Sequence, residues 1–121
     1  MKRVRIYLGE RDKPAGSHRP LWEVVLERLR DQGASGATAF RGLGGFGTHG
    51  RIHMGRLADV IPNLPVVIEW VDDAPRVERM LPSIAKLVRE GTITVEDVDL
   101  ARYAGEEELL SAEPDGEDAP T

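Results

Sequence analysis

Val4, Ile6 and Leu8 alternate with Arg3, Arg5 and Tyr7, and Gly9 follows. This period of two is that of a strand with one buried face, closed by a residue that favours turns. Glu10 to Arg19 is broken by Pro14 and Gly16 and reads as a loop. Pro20 then suits a first helical position, and Leu21, Trp22, Val25, Leu26 and Leu29 follow at helical spacing until Gly33 stops the run. Ala37 to Arg41 returns to strand character. Beyond a glycine-rich stretch, Pro65 opens the apolar run VVIEWV, expected to be a central strand. Asp72 and Asp73 offer turn and N-cap chemistry for a second helix over residues 74–89, whose stripe is Val77, Met80, Leu81, Ile84 and Val88. Pro82 lies inside it, so a kink or two short segments is expected. Thr92 to Tyr103 reads as the last strand; Val98 and Leu100 fall out of phase with Ile93 and Val95, which predicts a bulge near Glu96 and Asp97.

The order is β-α-β-(long loop)-β-α-β. With right-handed crossovers it predicts an α+β fold, a ferredoxin-like β-α-β-β-α-β sandwich with two helices on one face of a four-stranded antiparallel sheet. On the third strand Val66, Ile68 and Trp70 point one way and Val67, Glu69 and Val71 the other. Both faces therefore carry apolar groups, and a homo-oligomer is expected.

The chain has 121 residues and no cysteine. One domain over residues 1–104 is expected, without disulfide or thiolate chemistry and in a cytoplasmic setting. The start MKRVRIYLGE interrupts its apolar run at once, so neither a leader nor direct membrane insertion is expected. The net charge of −5 conceals a division. Residues 105–121 hold seven acids and no base, and are expected to form an acidic, disordered tail; the remainder holds 16 bases against 14 acids.

Candidate chemistry concentrates in GATAFRGLGGFGTHGRIHMGR, residues 36–56. Glycines 42, 44, 45, 47, 50 and 55 are interleaved with Arg41, His49, Arg51, His53 and Arg56, and no Asp or Glu occurs between Asp31 and Asp59. Such a loop suits an anion, since glycine lets N–H groups approach closely and Arg supplies planar charged donors. The candidate ligand residues in and beside this stretch are Glu10, Arg41, Gly42, Gly44, Gly45, Phe46, Gly47, His49, Arg51 and His53. Arg41 suits either a bidentate phosphate contact or a salt bridge to Glu10, Glu69 or a neighbouring subunit. Gly42 to Gly47 spells G-x-G-x-x-G, but a dinucleotide site needs an immediate helix, which Gly50 and Gly55 oppose. His49 and His53 are four apart, a spacing used by zinc pairs, yet glycines flank them and His18 is the only other imidazole. Glu10 lacks a nucleophile or second carboxylate, so an enzyme is not expected. Nucleic-acid binding is opposed by a nearly neutral domain and an acidic tail.

Leu8-Gly9-Glu10, His18 to Leu21, GATAFRG with GFGTHGRIH, PVVIE at 65–69 and Thr92 to Val98 together resemble an uncharacterised PII-like family of the PII signalling superfamily. The resemblance spans about residues 3 to 103 and excludes the tail. It implies a homotrimer with an adenine nucleotide in the clefts between subunits. It also implies a conformation-sensitive loop over 44–61 that contacts a target, a membrane transporter or an enzyme. The loop has no tyrosine, so a uridylylation switch has no acceptor. The resemblance also adds Gly91 and Thr92 to the candidate ligand set, although before the last strand stands only Glu90-Gly91-Thr92, in place of a Lys-containing phosphate cradle, and Arg102 is alone where a pair is usual. With these departures the resemblance implies AMP or ADP as the ligand. Two alternatives stand beside it: an interaction module that needs no nucleotide, and a metal-responsive protein using His49 and His53.

Overall fold

A computed structural model of the chain describes residues 1–47, 50–55 and 63–102. Its elements are β1 (Lys2–Gly9), α1 (Leu21–Asp31), β2 (Ala37–Arg41), β3 (Gly44–Gly45), β4 (His53–Met54), β5 (Pro65–Asp72), α2 (Ala74–Leu87) and β6 (Thr92–Asp97). The four longer strands form one sheet in the order β2-β5-β1-β6, and every neighbouring pair is antiparallel. This is the expected ferredoxin-like arrangement. The two short strands form a separate ladder.

The alternation of β1 and β5 decides which face is covered. Val4 pairs with Trp70, Ile6 with Ile68 and Leu8 with Val66, and all six are buried. Leu21, Val25 and Leu29 of α1 and Val77, Met80 and Ile84 of α2 join them in one core, so both helices lie on that face. A helix interior tolerates Pro82 poorly, yet α2 runs unbroken through it, so the expected division into two segments is not found. The Ser83 hydroxyl donates to the Met80 carbonyl at 3.2 Å beside that proline. Pro20 caps α1 from outside rather than opening it, and Gly33, at φ +96°, closes it in the left-handed region.

Asp73 caps α2 by accepting from the Arg76 N–H at 2.8 Å. Its neighbour Asp72 is 2% exposed and accepts from the Ser35 N–H at 3.0 Å, Trp70 Nε1 at 2.9 Å, the Asp73 N–H at 3.1 Å and Arg76 Nη1 at 3.0 Å. Burial pushes this carboxyl up, but the bonds from Ser35, Trp70 and Asp73 and the charge of Arg76 outweigh it, so Asp72 stays below the usual carboxylate range. The carboxylate thus ties α2, β5 and the chain entering β2 together.

β6 departs from expectation. It pairs without interruption from Thr92 opposite Tyr7 to Asp97 opposite Lys2 and ends there, so there is no bulge at Glu96 and Asp97. Val98 and Leu100 are out of phase because they lie beyond the strand; the Val98 N–H donates to the Met1 carbonyl at 3.1 Å. Residues 103–121, including the tail, lie outside the described residues.

The sheet face away from the helices is divided. Phe40, Val67 and Tyr7 make an apolar row across three strands, with Phe40 48% and Tyr7 40% exposed. Next to it Arg5 bonds Glu69 at 2.9 Å and Glu96 at 3.2 Å, and Arg3 bonds Glu96 at 2.8 Å.

Candidate functional site

The glycine-rich stretch leaves β2 at Arg41 and folds back on itself. Gly44 pairs with Met54 and Gly45 with His53, so β3 and β4 make a short antiparallel ladder at the end of the sheet. The G-x-G-x-x-G spelling therefore leads into this ladder, not into a helix. Glycine is required here by close approach. A Cβ on Gly42 would lie 2.7 Å from Pro65 Cγ, and one on Gly44 would lie 2.9 Å from the His53 carbonyl oxygen. Gly50, at φ +74°, serves the turn, its N–H bonding the Gly47 carbonyl at 2.9 Å.

These contacts redefine what the glycines offer a ligand. The Gly42 N–H already donates to the Pro65 carbonyl at 2.7 Å and the Gly55 N–H to the Leu43 carbonyl at 3.4 Å. Together with Gly50, three of the loop's N–H donors are used within the chain. The anion chemistry of the described residues then rests mainly on side chains. Arg41, 61% exposed, pairs with Glu10 through Nη2 and Oε2, which is the salt bridge the sequence allowed. Beside it an open depression is lined by Arg41, Gly42, Leu43, Gly44, Met54 and Leu64. Arg51 is exposed in the turn. His53 accepts from the Asn63 N–H at Nδ1, 3.1 Å away, which leaves Nε2 as its other ring nitrogen.

The remaining candidates are dispersed. Phe46 is 73% exposed, and nothing stands within 4 Å of a Cβ placed on Gly47. Gly91 and Thr92 sit at the same end of the sheet as Arg41 but on the opposite edge, because Thr92 pairs with Tyr7 while Arg41 pairs with Val66. Three strand spacings, about 14 Å, separate those edges. A Cβ on Gly91 would meet the Tyr7 carbonyl oxygen at 2.5 Å, so this glycine too answers to packing. His49 and Arg56 lie outside the described residues, as does much of the expected loop 44–61. Among the described residues no group of three His, Cys, Asp or Glu could hold a metal.

Two organising residues escaped the sequence reading. Asp12 accepts from the Gly9 N–H at 2.8 Å and from Asn63 Nδ2 at 3.2 Å, and its own carbonyl accepts from the Leu21 N–H at 2.7 Å. Asn63 also accepts from the Arg11 N–H at 2.7 Å, while the Glu10 N–H donates to the Leu64 carbonyl at 2.7 Å. This small network joins the exit of β1, the start of α1 and the approach to β5, and so positions Glu10 beneath Arg41. The available signal was a small polar residue beside each turn, a type that commonly bonds nearby backbone.

Known proteins resemble this chain in sequence and in overall fold. The model of the DUF190 family, described as an uncharacterized ACR, matches residues 1–100. A UPF0166 protein of Aquifex aeolicus is 35% identical over 99 residues, covering 82% of this chain and 91% of that protein. One from Methanocaldococcus jannaschii is 34% identical over 108 residues, covering 87% and 94%. Among solved structures, CPII of Thiomonas intermedia K12 bound to ADP and bicarbonate aligns with a TM-score of 0.60 at 24% identity, over 84% of this chain and 88% of that one. CPII bound to ADP, AMP and bicarbonate, described as a nitrogen regulatory PII-like protein, aligns at 0.56 and 20% identity, over 84% and 93%. The four-stranded antiparallel sheet and the two helices that cover one face of it are thus those of a PII-like fold, and the chain belongs to the DUF190 family.

Proposed function

We propose that this is a PII-like regulatory protein. In this reading it is a homotrimer that holds AMP or ADP in the clefts between copies and signals through residues 44–61 to a target protein, a membrane transporter or an enzyme. The observation that carries the reading is the placement of Arg41. It stands where β2 becomes the ladder, beside an open depression, with its guanidinium already paired to a carboxylate. A phosphate, like a carboxylate, offers the planar guanidinium fork a pair of acceptor oxygens, and it carries more charge, so it can replace Glu10 as partner.

The dispersion of the candidates supports an assembly. Gly91 and Thr92 cannot reach Arg41 within one copy, but the β6 edge of one copy beside the β2 edge of another brings the two sets to one cleft. The exposed row of Phe40, Val67 and Tyr7 supplies apolar area for such a contact. The solved PII-like neighbours hold ADP and AMP, which makes adenine nucleotides the first ligands to try. Regulation is favoured over catalysis because Glu10 is engaged with Arg41. A cytoplasmic setting completes the reading, with residues 1–104 as the folded unit and 105–121 as an appended acidic tail.

The test is a thermal-shift series with AMP, ADP, ATP and cyclic AMP on protein freed of bound small molecules. A ligand at 100 times its dissociation constant stabilises by about 2.7 kcal/mol. At least one nucleotide is expected to do so, and Arg41→Ala, at an exposed position, is expected to abolish the shift without unfolding the protein. No shift with any of the four would overturn the reading. One observation favours a nucleotide-independent interaction module instead: Leu43, Phe46 and Ile52 are 95, 73 and 55% exposed. Capture of a partner that is lost in Leu43→Ser with Phe46→Ser, and is indifferent to added AMP, would support it.

A further inference from the structure

The ladder presents two kinds of surface together. Leu43, Phe46 and Ile52 are large apolar groups left in solvent, and Arg51 lies between Phe46 and Ile52 in the chain and is itself exposed. Several large apolar groups exposed at one end of a domain call for a cover. The absence of any acid between Asp31 and Asp59 means that the stretch provides no internal counter-charge.

The same chain contains the complement. Glu106-Glu107-Glu108-Leu109-Leu110 places three carboxylates against two leucines, and Glu113, Asp115, Glu117 and Asp118 follow without a base among them. The leucines are the only large apolar groups in residues 105–121. We infer that residues 106–118 dock on the ladder of their own chain, Leu109 and Leu110 against Leu43, Phe46 and Ile52, and the carboxylates against Arg51 and the exposed side of Arg41. The docked tail is an autoinhibitory cover, because it occupies the cations that an anionic ligand or a partner's acidic surface would use.

Reach permits this. β6 ends at Asp97, beside Lys2, at the far end of the sheet from the ladder. The diagonal from there to the β2 edge is about 27 Å, from roughly 23 Å along the strands and 14 Å across them. Twelve residues from Asp97 to Leu109 extend to about 40 Å at most. The attraction is between exposed charges and is therefore screened by salt. The inference stands whether or not the loop binds a nucleotide.

The chain's lack of cysteine provides the test, because Ser111→Cys gives a unique site for a nitroxide label in the full-length protein. Amide signals of Leu43, Phe46, Arg51 and Ile52 are expected to lose about twofold more intensity than those of Glu78 and Lys86 on α2, and to recover near 1 M salt, where the screening length is about 3 Å. The same label in a chain with Glu106, Glu107 and Glu108 changed to Gln and Leu109 and Leu110 changed to Ser is expected to spare the ladder. Two results overturn the inference: ladder amides no more affected than α2 amides in the native tail, or an effect that persists unchanged in the altered one.

Discussion

Beneath the helices, Val4, Ile6, Val25, Leu29, Ile68 and Ile84 have no exposed surface, whereas in the ladder Leu43, Phe46 and Ile52 are mostly in solvent. The two regions use their sequences differently. The covered face is built from β-branched and aliphatic side chains whose transfer from water stabilises the fold by roughly 1.5 to 3 kcal/mol each. The ladder instead brings backbone against backbone, with Gly42 and Gly44 clearing space for Pro65 and the His53 carbonyl. One region holds the fold. The other is a thin appendage, held to the sheet by contacts such as the bond from the Gly42 N–H to the Pro65 carbonyl.

The contrast is broken first by cavities. Ile68→Ala, in the middle of β5, is expected to cost about 2–5 kcal/mol, read from urea denaturation, while Leu43→Ala at an almost fully exposed position should change stability by less than about 0.5 kcal/mol. Equal losses at the two positions would mean that Leu43 is packed as tightly as the core, which a docked tail alone does not provide.

A second effect, about 3 kcal/mol, is expected for Asp72→Ala, which leaves four donors around a buried site without their acceptor. Its pH dependence has a definite sign. The folded-state pKa is depressed, so the stabilisation is fully present above the unfolded aspartate value of about 3.9 and is lost as pH falls below that value through the folded pKa. An acid titration of stability should therefore be flatter in Asp72→Asn than in the native protein. An unchanged acid limb would remove Asp72 from the account.

The ladder is probed more finely by glycine substitutions. Gly42→Ala forces Pro65 to move and should cost about 1–3 kcal/mol. Gly47→Ala, with open space around it, should stay within about 0.5 kcal/mol. Loss of ligand binding in Gly42→Ala with the fold retained would show that the ladder's angle to the sheet, and not its mere presence, defines the site. The smallest effect is expected for Glu10→Gln, where an exposed ion pair contributes at most about 1 kcal/mol to stability. Its informative readout is affinity for anions: freeing Arg41 should tighten phosphate binding.

Much of this architecture is legible in the chain. The alternation of Val4, Ile6 and Leu8, the stripe from Leu21 to Leu29 and the PVVIEWV run each constrain one element, and their order constrains the sheet. Local patterns fail where distant residues decide. Val98 and Leu100 look like a strand out of register, yet β1 begins at Lys2 and leaves nothing beyond Asp97 to pair with except the Met1 carbonyl. Gly42 looks like a phosphate-cradle glycine, and only the arrival of Pro65 more than twenty residues later shows the packing reason for it. Asp12 and Asn63 carry no periodic signal at all, since their roles exist only once β1, α1 and β5 meet. Arg41 was legible as a candidate because its charge and its place at the end of a strand are both local properties.

The most direct test of the central claim is calorimetric titration of nucleotide-free protein with AMP and ADP, in native and Arg41→Ala forms. The account predicts saturable binding of at least one of them to the native protein and a loss of at least about tenfold in affinity, or about 1.4 kcal/mol, in the variant. Saturable binding that is unchanged by Arg41→Ala would contradict the site, and an absence of binding by either nucleotide to the native protein would contradict the function.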